Sequence, residues 1–184
     1  MRVLNVGCGK AKREFPEASE ATEIIGVDIS PNSEADVLHN LDQIPWPFES
    51  DSFDLIIMQD IIEHLEDVPG ILNEVWRIAR HGCSVRIRTP HYASYYAYND
   101  PTHKRFFGVY AFDGFLAESQ NDLYATALFS LTERRVLFPK VWRITGVSAL
   151  ANRFMKRWEQ LFSFIFRPEN LEFEFKAIKS PVRT

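Results

Sequence analysis

Two cysteines, Cys8 and Cys83, are all that this chain of 184 residues has. They are too few for a disulfide framework, and a reducing compartment, the cytoplasm, is the expected location. No apolar run reaches the ~18 residues that a membrane helix needs. The opening Met1-Arg2-Val3-Leu4-Asn5 enters an apolar strand pattern at once, without the apolar stretch and small-residue cleavage site of a signal peptide. Internal repeats, low-complexity tracts and Gly/Ser linkers are missing. Hydrophobic residues at 46% and charged residues at 25% exclude disorder, collagen and coiled coil. A chain of this length buries roughly 70% of its unfolded surface, so residues 1–184 are expected to form one domain.

The net charge of −4 hides an asymmetry. Residues 1–75 hold 4 Lys+Arg against 16 Asp+Glu, or −12; residues 76–184 hold 17 against 9, or +8. From Arg134 to Arg157 there are seven basic residues and no acid. A solvated basic face is the plain explanation. Contact with something anionic, a phosphorylated substrate or a membrane surface, is the sharper one.

Short apolar runs alternate with polar helical stretches through the first half. Arg2–Val6, Glu23–Asp28, Asp36–His39, Phe53–Met58 and Ser84–Thr89 read as strands. Ile71, Leu72, Val75 and Ile78 give a helix, with Gly82 as its stop. Leu128–Phe138 reads as a sixth strand. The strict alternation of Leu171–Ile178 reads as a last one, antiparallel or at an edge. The fold class is therefore α/β: a doubly wound, mostly parallel seven-stranded sheet, helices on both faces, the final strand antiparallel. Residues 90–135 are expected to form a substrate-side loop or insert, rich at its start in Tyr, His, Asp and Asn. Leu150, Phe154, Trp158, Leu161 and Ile165 fall at helical spacing over 148–165, with Arg153, Lys156 and Arg157 opposite. Such a stripe is expected to dock on the core. Peripheral membrane contact through a basic amphipathic helix at 148–165 is the alternative.

Val6-Gly7-Cys8-Gly9 follows a strand directly, and Asp28 ends the next strand 19 residues after Gly9. Glycines let the backbone turn tightly and approach a ligand closely, and an acid at the neighbouring strand end can accept both hydroxyls of a ribose. The dinucleotide fingerprint wants a third glycine where Lys12 stands, which disfavours a nicotinamide oxidoreductase.

Leu4-Asn5-Val6-Gly7-Cys8-Gly9, Gly26-Val27-Asp28, Ser52-Phe53-Asp54-Leu55-Ile56 and Ile62-Glu63-His64-Leu65, in that order, resemble class I S-adenosylmethionine-dependent methyltransferases, nearest to the type 11 methyltransferase-domain family. The resemblance covers roughly Val3–Thr89. It implies that Gly7, Cys8 and Gly9 pass under the methionine part of S-adenosylmethionine. Asp28 would hold the ribose with Ile29 beside it, Asn40 and Leu41 would flank the adenine, and Gln59 would line the methionine side. Asn5 stands where the family often has an acid, so a salt link to the cofactor's amino group would be lost.

The sulfonium is already a methyl donor, so the protein has to align the nucleophile, exclude water and, for a hydroxyl, remove a proton. The adenine-amino and cytosine-ring subclasses lack their motifs here. Asp60, Glu63 and His64, at i, i+3 and i+4, would share a helix face, and two carboxylates with an imidazole suit a divalent cation. The pattern is similar to that of two metal-using O-methyltransferase groups, and that likeness offers His103 as a further ligand for Mg2+ or Mn2+. His64 or His103 acting as a metal-free general base is the other reading, and a packing role for His64 a third. His91 joins them as a catalytic candidate, since His91, Tyr92, Tyr95, Tyr96 and Tyr98 can wall a substrate pocket. The expected function is O-methylation of a small or carrier-borne molecule. A non-catalytic cofactor-binding module and an RNA-directed 2′-O-methyltransferase are the alternatives, though no arginine-rich run or RNA-binding module is visible.

Overall fold

Val3, Leu4 and Val6 give Arg2–Val6 apolar residues on both sides of the chain, and this segment forms β1, an interior strand. A computed structural model describes residues 1–119 and 126–179. After β1 come β2 (Glu23–Asp28), β3 (Val37–Leu38), β4 (Phe53–Gln59), α1 (Val68–Ile78) and β5 (Ala79–Pro90). The single turn α2 (Tyr96–Asn99) precedes β6 (Phe129–Val136). Three short helices, α3 (Lys140–Ile144), α4 (Val147–Arg153) and α5 (Met155–Phe162), lead to β7 (Asn170–Ala177). The sheet order is β3-β2-β1-β4-β5-β7-β6. Strands β1 to β5 are parallel, and β7 is antiparallel to both β5 and β6. The mostly parallel seven-stranded sheet with an antiparallel last strand is thus the one expected. Pairing sets Val6 level with Val27 and Met58, so the carboxyl ends of β1, β2 and β4 open on one crevice where the strand order reverses.

The two sheet faces are covered unequally. Leu4, Val6, Met58, Val85, Ile87 and Phe173 pack against Ile71, Leu72 and Val75 of α1 and Trp158 of α5. On the other face Val3, Ile24, Leu55 and Ile57 are covered by Phe15 and Ala18, from a loop carrying only a 3-10 turn at Pro16–Ser19. Towards β5 and β7 that face is charged, with Arg86 2.7 Å from Glu17 and 3.5 Å from Glu174. The helices expected here are replaced, among the described residues, by polar loops over an ion-paired surface.

Gly82 is not the helix stop. α1 ends at Ile78 because Ala79 is already extended (ψ 139°) and enters β5; Gly82, at φ 77°, lies within the irregular start of that strand. In the 90–135 segment, residues 120–125 lie outside the described residues. Part of the rest is core: Phe112 stacks on Phe107 at 5.3 Å and meets Phe173 edge-on at 4.9 Å.

The expected docking stripe over 148–165 is overturned. Phe154 (φ −127°, ψ 46°) ends α4 and begins α5, so the helical phase is reset midway. Ala151 and Trp158 turn inward, whereas Leu150, Phe154, Leu161 and Ile165 are 51–65% exposed. Trp158 meets Phe138 edge-on at 5.2 Å and lies 5.5 Å from the His91 ring. Trp158→Ala should therefore cost about 3–5 kcal/mol, read as a lower unfolding midpoint in urea. Leu161→Ala should leave that midpoint in place, and equal losses in the two variants would contradict this division of the helices.

Candidate functional site

Gly7, Asp28, Ile29, Asn40 and Leu41 line one cavity of about 200 Å³ at the ends of β1 and β2, closed by Ile61, His64 and Lys104. Gly7 sits at φ 68°, and a Cβ there would lie 2.5 Å from Ile61 Cγ1, so turn and packing both demand glycine. Gly9 is at φ 49° with nothing within 4 Å of a would-be Cβ, which leaves room for a ligand against the backbone. Asp28 Oδ2 accepts from the Gly9 amide at 2.9 Å and Oδ1 from the Ser30 amide at 2.8 Å. Each oxygen keeps a lone pair for a ribose hydroxyl. Asn40 Oδ1 accepts from the Asp42 amide at 3.1 Å in an Asx turn, a contact that leaves its Nδ2 donor to a ligand.

Beside this cavity lies a second cleft of about 590 Å³, lined by Glu63, Pro90, Tyr96, Asn99, Asp100 and His103 among others. Glu63, His64 and His103 place ligand atoms within 4.8 Å of one another. They meet because the Glu63 carbonyl accepts from the Lys104 (2.8 Å) and Arg105 (3.1 Å) amides, tying the loop after α2 onto the turn after β4. The two imidazoles are edge to face, 4.7 Å apart. Their tautomers follow from their partners. His103 Nδ1 donates to the Ala97 carbonyl at 3.0 Å, since a carbonyl only accepts. Thr102 Oγ1 spends its one proton on Asp100 at 2.6 Å, so it accepts from His64 Nδ1 at 2.9 Å. In the neutral rings both Nε2 atoms then carry the lone pair, as metal-binding or basic imidazoles require. Glu63 is 1% exposed. Its Oε2 accepts from Thr89 Oγ1 at 3.0 Å, and its Oε1 is buried without any partner. Burial pushes this carboxyl up to about 7.

Other expected residues are placed elsewhere. The turn Ile62–His64 is a single 3-10 turn rather than a helix, and Asp60 lines the same cleft as Glu63 and His103 without sharing a helix face with them. Asp60 sits at φ 51°, donates its amide to the Arg88 carbonyl at 2.9 Å, and pairs its carboxylate with the Arg88 guanidinium. The converging ligand atoms are those of Glu63, His64 and His103, and Asp60 is not among them. Asn5 does not face the cavity through its amide: Nδ2 donates to the carbonyls of Ala11 (3.4 Å) and Lys12 (3.1 Å), pinning the loop after Gly9. A carboxylate could not make those bonds. The Cys8 thiol is buried, and Gln59 lines a different cavity, on the charged sheet face with Arg86 and Glu172. His91 is sealed from solvent. Its Nδ1 accepts from the Ala93 amide (3.0 Å) and its Nε2 donates to Glu159 (3.2 Å), which fixes it as a neutral ring holding α5 to the sheet. A substrate cannot reach it, so His91 leaves the catalytic set. Lys104, Thr102 and Glu159 escape sequence reasoning.

Burial also pushes His91 down to about 4. Glu63, with its folded value raised, adds stability that is full at low pH and is lost as pH rises through 7. His91, with its folded value depressed, adds stability that is full above the ordinary imidazole range and is lost as pH falls towards 4. The two slopes oppose. In metal-free buffer Glu63→Gln should gain on the wild type by on the order of 3 kcal/mol between about pH 5 and 8. Urea melts that stay parallel across that range would show that Glu63 is not held protonated.

The model of the type 11 methyltransferase-domain family matches residues 4–87. A SAM-dependent methyltransferase from Archaeoglobus fulgidus is similar in structure at TM-score 0.64 and 18% identity, over 95% of this chain and 85% of that one. One from Mesorhizobium loti is similar at 0.59 and 19%, over 95% and 90%. Phosphoethanolamine N-methyltransferase 2 of Haemonchus contortus, in complex with S-adenosyl-L-methionine, is similar at 0.63 and 16%, over 98% of this chain and 49% of that one. No curated protein sequence gives a significant match.

Proposed function

We propose that this chain, whose residues 4–87 match the methyltransferase-domain family, is a class I S-adenosylmethionine-dependent methyltransferase, that its acceptor is an oxygen nucleophile on a small or carrier-borne molecule, and that Mg2+ or Mn2+ is held by Glu63, His64 and His103. S-adenosylmethionine, when bound, supplies an electrophilic methyl group on a sulfonium. The chain's own task is to hold and orient it. Asp28 is fixed by two backbone amides before the ribose arrives, so the contact costs little reorganisation. Ile29 and Leu41 give the adenine apolar walls, and the open space over Gly9 admits the amino-acid part.

A single observation carries the acceptor chemistry: Glu63 Oε1, buried and unpartnered, sits in a cluster with two imidazoles whose lone-pair nitrogens are set by Thr102 and Ala97. Buried polar atoms are rarely left unmatched, and one carboxylate with two imidazoles is a donor set for a divalent cation. A cation held there would lower the pKa of an acceptor hydroxyl. His64 lines the first cavity while Glu63 and His103, its partners in the cluster, line the cleft, which supports an acceptor oxygen close to the methyl group. An amine acceptor, as in the phosphoethanolamine enzyme, needs no such cluster once it is unprotonated.

Calorimetric titration with Mn2+, in the presence of the cofactor product, tests this. One site in the wild type that is lost in His103→Ala and in Glu63→Gln is expected. No Mn2+ binding, or a site indifferent to both changes, overturns the proposed ligand set and leaves the methyltransferase assignment standing.

A further inference from the structure

An open apolar surface lies far along the chain, on α3 to α5 and the turn after them. Ile144, Leu150, Phe154, Leu161, Phe164 and Ile165 are each 51–75% exposed. Exposed apolar patches of this kind mark contact surfaces. Cations are interleaved with them: Lys140, Arg143, Arg153, Lys156 and Arg157 are all exposed, and none forms an ion pair among the described residues. Between Arg134 and Phe166 the one acid is Glu159. It is turned inward, accepting from the Val109 amide at 2.7 Å and facing His91. The face therefore offers apolar side chains and uncompensated positive charge together.

We propose that this face docks on an anionic bilayer surface. Apolar residues set among unpaired Lys and Arg match the boundary between acyl chains and acidic headgroups. A second copy of the chain fits less well, because an isologous contact would set the same unpaired cations against one another. A groove of about 360 Å³ between Leu150, Phe154, Trp158, Phe162 and Phe166, with Arg157 at its rim, opens on the same face and suits a lipid chain below its headgroup. The surface continues towards the acceptor cleft. Phe164 and Arg167 share a depression with Tyr95, Tyr98 and Asn99, and Asn99 also lines the cleft that holds Glu63 and His103. Tyr95 and Tyr98 are each 65% exposed there, the kind of side chain that settles at a headgroup boundary. Docking would bring the cleft mouth beside the lipid surface, with access for an acceptor carried in it. The docking itself does not depend on the acceptor chemistry.

Flotation with vesicles of phosphatidylcholine alone, and with a third of the lipid replaced by phosphatidylglycerol, tests the proposal with the intact protein. The chain should float with the anionic vesicles, stay behind with the neutral ones, and come off at high salt. The pair Lys156→Glu with Arg157→Glu, and separately the pair Leu161→Asp with Phe164→Asp, should each weaken partitioning at least ~10-fold at an unchanged melting temperature. These side chains are exposed, so the fold is spared. Failure to float with anionic vesicles at low salt overturns the proposal, as does flotation that neither pair reduces. Sedimentation showing a dimer that both pairs disrupt, with no vesicle binding, would assign the face to a second copy instead.

Discussion

Asp28→Ala should bind S-adenosylmethionine roughly 100-fold more weakly or worse. Two hydrogen bonds from ribose hydroxyls to a carboxylate contribute about 1.5–3 kcal/mol each, and the alanine loses both. It also releases the amides of Gly9 and Ser30, whose 2.9 and 2.8 Å bonds to the carboxylate shape the turn over which the ligand lies. Those amides are only part-buried and water can reach them, so the fold should lose no more than about 1–2 kcal/mol. Calorimetry for affinity and a melt for stability separate the two effects. Asp28→Asn should fall between, since one side of the amide presents N–H to an N–H. Unchanged affinity in the alanine variant would remove the cofactor from this crevice.

Methyl transfer to a hydroxyl acceptor should fall at least ~100-fold in excess chelator and return with Mg2+ or Mn2+. The size of the effect comes from the acceptor's proton. An ordinary alcohol is a poor nucleophile until that proton leaves, and in the proposed function the group Glu63, His64 and His103 is what makes it leave. Cofactor affinity should hardly change under chelation, because Asp28, Ile29 and Leu41 take no part in the cluster. A metal-free base would behave otherwise. Transfer would resist the chelator, and His64→Ala would erase the acidic limb of the pH–rate profile.

The crevice at the ends of β1 and β2 was legible in the sequence because its signals are local and stacked. A buried strand, Val6-Gly7-Cys8-Gly9, and an acid at the end of the next strand sit within 28 residues of the start, and parallel pairing makes their ends level. Strands β1 and β2 fall where the apolar pattern put them, for the same reason. Side-chain direction was not legible. Asp60 belongs to Arg88 because Gln59 pairs with Arg88 across β4 and β5, a register that no spacing of 60, 63 and 64 reveals. His91 looked like part of a pocket wall, yet its neighbours Ala93 and Glu159 close around it, the second from 68 residues away. The stripe at 150, 154, 158 and 161 assumed an unbroken helix. The irregular backbone at Phe154 splits it, and burial follows Ala151 and Trp158 instead. His64 and His103 were named together from likeness alone; their meeting rests on backbone bonds from Lys104 and Arg105 to Glu63.

The proposed closeness of a cation at the Glu63, His64 and His103 cluster to the transferable methyl group is the centre of this account, and one spectrum tests it. S-adenosylmethionine carrying 13C in its methyl group, bound to the protein, should show that signal broadened by stoichiometric Mn2+, since paramagnetic relaxation falls steeply with distance. The broadening should vanish in His103→Ala and be reversed by Mg2+ competing for Glu63, His64 and His103. A methyl signal that stays sharp in the wild type, with Mn2+ shown to be bound, would contradict the account by placing the cation away from the reacting carbon.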